Sequence, residues 1–294
     1  MSESTYRVVE SYGRQLQVEI ERGNRQLALI KSKKTSALVG DWVKCHDEVG
    51  SLIIDEVCDR QNEFFRQDQI RTKSFAANID QILVLIAAEP VFSDIQLVRS
   101  LVAAASQGIP AAIALNKSDL QEPHNLALKR LRHHETWDAP LFSIQLKPAL
   151  KGLEDLKLWL KDKSTLVVGP SGAGKSSLVN ALAPHAQSRT QEISKALQSG
   201  KHTTTRTTWY WLEWGEKTAL IDSPGFQEFG LHHIEATHLQ WLMPDLKQHL
   251  GECRFSNCGH LNEPDCGVRK AVESGLIDSV RYRIYVQLFN ELSA

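Results

Sequence analysis

The stretch that most constrains this chain is STLVVGPSGAGKSSLVNALA, residues 164–183. An apolar run of strand length enters a glycine-rich turn and leaves as a helix. The turn, Gly169, Pro170, Ser171, Gly172, Ala173, Gly174, Lys175 and Ser176, fits the pattern G-x-x-x-x-G-K-[ST], and Ser177 continues it into the helix. Glycines let successive backbone N–H groups turn inward on phosphate oxygens, the lysine brings a point charge to the β and γ oxygens, and the Ser176 hydroxyl reaches the Mg2+ that accompanies a nucleotide. The loop by itself does not choose between ATP and GTP.

Its flanks continue the same architecture. IDQILVLIAA, from residue 79, is nearly all apolar, as a strand covered on both faces must be. DIQLVRSLVAAASQG follows with helical spacing, Asp94 in cap position and Gly108 at its end. PAAIAL, PLFSI and STLVVG then alternate with helices around ALKRLRHH and LEDLKLWLKD, and SSLVNALA, TTWYWLEW and KTALID complete a parallel α/β sheet over residues 71–234.

Before residue 70 the period is two: RQLQVEIERG, RQLALIK and GDWVKCHDEVGSLIIDEV, broken by Gly23, Gly40 and Gly50. This pattern predicts a small antiparallel OB-like barrel, either an oligonucleotide binder or a packing module. After residue 235 come helical HLQWLMPDLKQHL, the loop CRFSNCGHLNEPDC, and helical VRKAVESG and SVRYRIYVQLFNEL. The expected fold is multidomain: a barrel over 1–70, an α/β P-loop domain over 71–234 and a mainly helical, metal-binding domain over 235–294.

Base selection rests on Asn116, Lys117, Ser118 and Asp119. Guanine presents N1–H and its 2-amino group side by side, and one carboxylate accepts both, whereas adenine offers no such pair. Asp119 is that carboxylate unless it merely caps the next helix. Asp222-Ser223-Pro224-Gly225 closes the strand KTALI, so that Asp222 can hold the Mg2+ shell and the Gly225 N–H can meet a γ-phosphate, although D-x-P-G is also ordinary turn chemistry. Phe226 follows, where many GTPases carry a water-orienting glutamine. The polar stretch 194–208 reads as a mobile loop. Within its GKHTTT a threonine such as Thr204 can ligate Mg2+, and His202 can orient or deprotonate the attacking water or simply be solvated.

Five cysteines are too few and odd in number for a disulfide framework. Three of them form Cys253-x4-Cys258-x-His260-x5-Cys266, a closed set of three thiolates and one imidazole suited to one structural Zn2+; the alternative is three core cysteines and an unrelated histidine. Cys45 and Cys58 lie in barrel strand patterns and read as packing residues. The net charge of -1 leaves nucleic-acid contact to local patches such as Lys31, Lys33 and Lys34. No basic segment leads into an apolar run at the N-terminus, and no apolar run is long enough to span a bilayer, so a cytoplasmic protein without a membrane partner is expected.

NKSD precedes the phosphate loop, the reverse of the usual order. Together with GKHTTT, DSPG and CRFSNCGHLNEPDC, this resembles the RsgA (YjeQ) family of circularly permuted GTPases that mature the bacterial small ribosomal subunit. The resemblance implies an N-terminal OB-fold, a central permuted GTPase domain and a C-terminal zinc domain. It also implies slow GTP hydrolysis to GDP, with Mg2+, stimulated by the small subunit and its rRNA; a monomer is expected. The second functional class is a GTP-dependent sensing or metal-insertion protein whose zinc module docks a protein partner. The fifth guanine element of the family would fall at Ser143-Ile144-Gln145, with Ser143 and the backbone as base contacts. Lys201 stands where arginine is also common, and the chain opens almost directly at the barrel, without the basic extension some members carry; these bear on RNA affinity more than on nucleotide chemistry. Permutation preserves the site because ligand loops of a parallel sheet all leave from the strand C-terminal ends. DSPG then becomes the last element before the C-terminal module.

Overall fold

The computed structural model describes residues 4–12, 15–30, 36–48, 50–67, 72–184, 207–222 and 229–293. Lys31, Lys33, Lys34, Lys201, His202, Thr204, Gly225 and Phe226 lie outside the described residues.

Strands β1 (Ser4–Tyr12), β2 (Gln15–Glu21), β3 (Asn24–Ile30), β4 (Trp42–Glu48) and β5 (Ser51–Val57) pair in the order β1-β2-β3-β5-β4, and β4 returns to β1. The sheet is closed, and Val8, Leu16, Val18, Ala28, Val43 and Ile54 fill its interior. The expected all-antiparallel arrangement is corrected at one place, since β3 and β5 run parallel. A ring with an odd number of strands cannot alternate direction throughout. Cys45 packs inside this barrel, its thiol pushed up to about 11 by burial. A hairpin of β6 (Glu63–Gln67) and β7 (Thr72–Ala77) straddles the expected boundary at residue 70 and bonds to the barrel through Ala77 N–H and Val39 O at 3.0 Å.

The second sheet is built from β8 (Gln81–Ala87), β9 (Ala111–Asn116), β10 (Leu141–Ser143), β11 (Ser164–Val168), β12 (Thr208–Trp211) and β13 (Ala219–Asp222), in the order β10-β9-β8-β11-β13-β12. Its helices are α1 (Asp94–Ser106), α2 (Gln121–Leu131), α3 (Glu154–Leu160) and α4 (Lys175–Leu182). Every residue of β8 and β11 is buried, which explains their unbroken apolar runs. The sheet is parallel except for β12, which runs antiparallel to β13 and pairs with barrel strand β1, so barrel and sheet are hydrogen-bonded into one.

Two expectations about helices are corrected. Ser93, not Asp94, caps α1: its backbone is extended and its hydroxyl accepts from Gln96 N–H. Asp94, one residue inside, is free to pair with Arg130 and His134. HLQWLMPDLKQHL is not one helix; a 3-10 stretch, Ala236–Leu242, is separated from a short turn, Pro244–Lys247, by extended Met243 (φ -110°, ψ 106°). The ring of Pro244 disfavours helical backbone in the residue before it. Helices α5 (Gly267–Glu273) and α6 (Ser279–Leu292) complete the chain and share one apolar core with α1 and its face of the sheet.

Candidate nucleotide site and metal centre

The nucleotide-site residues gather where β9, β10, β11 and β13 end. The phosphate loop leaves β11 hard against β8: a Cβ at Gly169 (φ 150°) would lie 1.9 Å from the Leu85 carbonyl oxygen. At Gly174 (φ 106°) a Cβ would lie 2.4 Å from Asn116 Nδ2, so glycine is required where the two motifs meet. Asn116 Nδ2 donates to the Ala173 carbonyl at 2.9 Å, tying NKSD to a phosphate loop 57 residues away. Asn116 Oδ1 is buried without a partner among the described residues. Lys175 Nζ bends back onto the carbonyls of Gly169 and Pro170, the latter at 3.0 Å; burial lowers its pKa, opposed by the charge of Asp222. Ser171, Gly172 and Ser176 are exposed around it, with Ser177 half-buried.

Lys117 (φ 64°) reaches over to donate to the Glu89 carbonyl, and Ser118 N–H donates to Ile144 O at 3.1 Å. Leu120, not Asp119, occupies the N-cap of α2, and no side chain caps that helix. The exposed Asp119 carboxylate is therefore not consumed as a cap. Ser143 is the last residue of β10, exposed and paired with Leu115. The next two N–H groups are occupied: Ile144 donates to Leu115 O at 2.9 Å and Gln145 to Lys151 O at 3.0 Å. Buried Leu146 is the residue of this stretch that meets the phosphate loop, its Cδ1 3.4 Å from the Cβ position of Gly174.

Asp222, at the end of β13, lies beside Val167 in register and so beside the loop. Its Oδ1 is buried without a partner among the described residues, and burial pushes its pKa up to about 6 against the pull of Lys175. A buried, unpartnered carboxylate oxygen beside the phosphate loop fits a hydrated Mg2+.

In the C-terminal module the ligand atoms of Cys253, Cys258, His260 and Cys266 all lie within 4.8 Å of one another. Cys253 Sγ is 4.0 Å from Cys266 Sγ and 3.5 Å from His260 Nδ1, which is 3.3 Å from Cys266 Sγ. Tetrahedral Zn2+ with Zn–S of about 2.3 Å has S–S edges of about 3.8 Å and slightly shorter S–N edges. The set fits. Backbone N–H groups of Gly267 and Arg269 point at Cys253 and Cys266. His260 Nε2 is bonded to the side-chain oxygen of Gln240, which holds the ring with Nδ1 turned to the cluster. Burial and the neighbouring thiols push Cys258 up to about 12, so the thiolates need a cation among them.

A sequence model described as the RsgA GTPase family matches residues 57–232. The chain belongs to the RsgA GTPase family. It is 50% identical over 291 residues to the small ribosomal subunit biogenesis GTPase RsgA of Variovorax paradoxus (strain S110), covering 97% of this chain and 92% of that one. The protein of the same name from Bordetella pertussis (strain Tohama I) is 40% identical over 292 residues, covering 98% and 96%. Among solved structures, YjeQ from Thermotoga maritima superposes with a TM-score of 0.73 at 29% identity, covering 100% of this chain and 99% of that one. YloQ, a circularly permuted GTPase, superposes at 0.70 with 25% identity, covering 99% and 96%. This RsgA-family chain is accordingly a GTP hydrolase of permuted motif order.

Within this RsgA-family GTPase the structure brings together Asn116, Lys117, the phosphate loop and Asp222, with Ser118 and Asp119 on the adjoining turn. It gathers the four metal-ligand candidates separately. Leu146 and Gln240 escaped the sequence reading. Nothing in the type of either residue signals its role; only the place where β10 ends and the packing of residues 236–242 reveal them.

Proposed function

We propose that this chain is a cytoplasmic GTPase that binds the small ribosomal subunit, assists its late maturation and hydrolyses GTP under stimulation by that particle. The observation that carries the guanine reading is the exposed Asp119 carboxylate, unused as a cap and set on a turn whose Asn116 is bonded to the phosphate loop. Asp119 accepts the guanine N1–H and 2-amino protons, Lys117 covers the base plane, and Ser118 and the 143–146 stretch close its edge. Gly169 to Ser177 hold the phosphates through backbone N–H groups and the Lys175 ammonium. Ser176 and Asp222 hold Mg2+, which neutralises charge on the β and γ oxygens. Cys253, Cys258, His260 and Cys266 hold one structural Zn2+, and a closed four-ligand set disfavours a metal-delivery role.

Phe226 cannot orient water, so the reading assigns that task to His202, with Thr204 joining the Mg2+ shell and the Gly225 N–H meeting the γ-phosphate. On this reading the subunit, once bound, sets these groups against the γ-phosphate and the attacking water. None of the described helices is long and apolar enough to cross a membrane. The test is steady-state GTP hydrolysis by the parent and His202→Ala, each with and without purified small subunits. Stimulation of the parent, with a loss of about 10²–10⁴-fold in the variant, is expected. Absence of stimulation removes the ribosomal reading; equal stimulation of both removes only the histidine assignment.

A further inference from the structure

Strand β12 has the sheet's β13 on one side and the barrel's β1 on the other. Among the described residues the join to β1 has one paired position, Glu10 opposite Thr208. Side chains reinforce this join. Arg25 Nη2 donates to the Trp209 carbonyl at 2.7 Å, and Arg22 donates to the carbonyls of Leu212 and, at 3.2 Å, Glu216. Trp211 Nε1 donates to Glu19. The guanidinium of Arg7 stands over both Trp42 and buried Trp209, 4.2 and 4.5 Å from the ring centroids. The barrel thus grips β12 along its length.

What it grips is placed to matter for the reaction. Thr208 lies opposite Glu10 on one side and opposite Asp222 on the other, and Asp222 in turn lies opposite Val167, next to the phosphate loop. Directly opposed residues in a ladder share a face. Glu10, Thr208 and Asp222 therefore form one transverse row. The Thr208 hydroxyl donates to Glu10 Oε1 at 3.3 Å, with both residues buried.

We infer that the barrel is a positioning element of the GTPase site: through Thr208 and the clamp on β12 it sets where β13 ends, and hence where the Asp222 carboxylate stands. The inference rests on the reading of Asp222 as a Mg2+ group. Glu10, Arg25 and Thr208 are positioning residues that need not touch nucleotide. A barrel that merely covered an edge strand would contribute to stability alone.

The test is binding of a fluorescent N-methylanthraniloyl-GDP to the full chain, titrated with MgCl2 and repeated in excess chelator of Mg2+. Thr208→Val removes the hydroxyl at nearly constant shape and should raise the half-saturating MgCl2 about three- to tenfold, the size of one lost hydrogen bond. Affinity without Mg2+ should stay within about twofold, and Thr208→Ser should restore the parent value. Arg25→Gln, at the other end of the clamp, should move the MgCl2 requirement in the same direction and decides the matter if Thr208→Val does not fold. Parent-like MgCl2 dependence in the folded variants, or an affinity loss equal with and without Mg2+, overturns the inference. A parent-like Asp222→Asn would instead remove the underlying Mg2+ reading, and this inference with it.

Discussion

The candidate metal centre and the candidate nucleotide site are both made of loops at the ends of regular elements, yet they are assembled on different scales. The four candidate metal ligands come from the single loop 253–266, and their ligand atoms meet within 4.8 Å. The proposed nucleotide site draws on residues 116–119, 146, 169–177 and 222, held together by strand register and by the bond from Asn116 to Ala173. A site contained in one loop would depend on a bound ion for its shape, because an ion would reconcile three clustered thiols, two of them buried. A site spread over a sheet depends on the sheet, and loses its contributions one at a time.

Metal removal should produce the largest effect. Structural zinc contributes on the order of 10–16 kcal/mol to the folding of small zinc modules. Chelation, or Cys258→Ser, is expected to abolish hydrogen-exchange protection around residues 250–270 while GTP affinity stays near the parent value. Loss of nucleotide binding in parallel would show that the two regions are not separable, and elemental analysis should find one zinc per chain.

Arg281 sharpens the same comparison because it joins the regions. Its guanidinium pairs twice with buried Asp245, at 2.9 Å each, and lies 3.4 Å from Nδ1 of His134 in the GTPase domain. Arg281→Ala leaves the Asp245 carboxylate buried and uncompensated, at an expected loss of about 3–5 kcal/mol in chemical denaturation. If only the C-terminal module loosens, the GTPase sheet is independent of it.

Asp119→Asn acts within the nucleotide site. It exchanges one of two acceptors for a donor facing guanine, and should weaken GTP binding by about 2–4 kcal/mol while favouring xanthosine triphosphate. A melting curve close to the parent's would confirm that the effect is confined to the site. Equal ATP and GTP affinity in the parent would defeat the base-reading role.

The smallest expected effect is on pH dependence. Burial lowers the pKa of His134, assisted by Arg281 and opposed by the hydrogen bond to Asp94. Neutral His134 suits its neighbours, with Nδ1 turned to the Arg281 donor and Nε2 3.1 Å from Asp94 Oδ1. Because the folded pKa lies below the unfolded one, the unfolded chain takes up the proton first. Stability should therefore fall as pH drops below about 6.5, by at most about 1.4 kcal/mol per unit, and this contribution should be flat above that value. Denaturation of the parent and His134→Gln across this range measures it; identical slopes would exclude His134 as the cause.

The sequence by itself determined the phosphate loop, the NKSD turn, the Cys/His loop and the apolar strands of the sheet. In each, the chemistry lies in neighbouring residues at fixed spacing, or in burial on both faces, and both leave a local pattern. Ser93 as the cap of α1 and the break before Pro244 were also written locally, in Ser93-Asp94 and Met243-Pro244, but local preference there admits more than one outcome. Only the tertiary structure decided the parallel pairing of β3 with β5, the approach of Leu146 to Gly174, the Gln240 support of His260 and the joining of β1 to β12. These depend on what comes to lie opposite: Thr208 meets Glu10 across 198 positions of chain and Arg281 meets His134 across 147. No short window holds both partners, and contacts of that kind exist only once the chain has closed on itself.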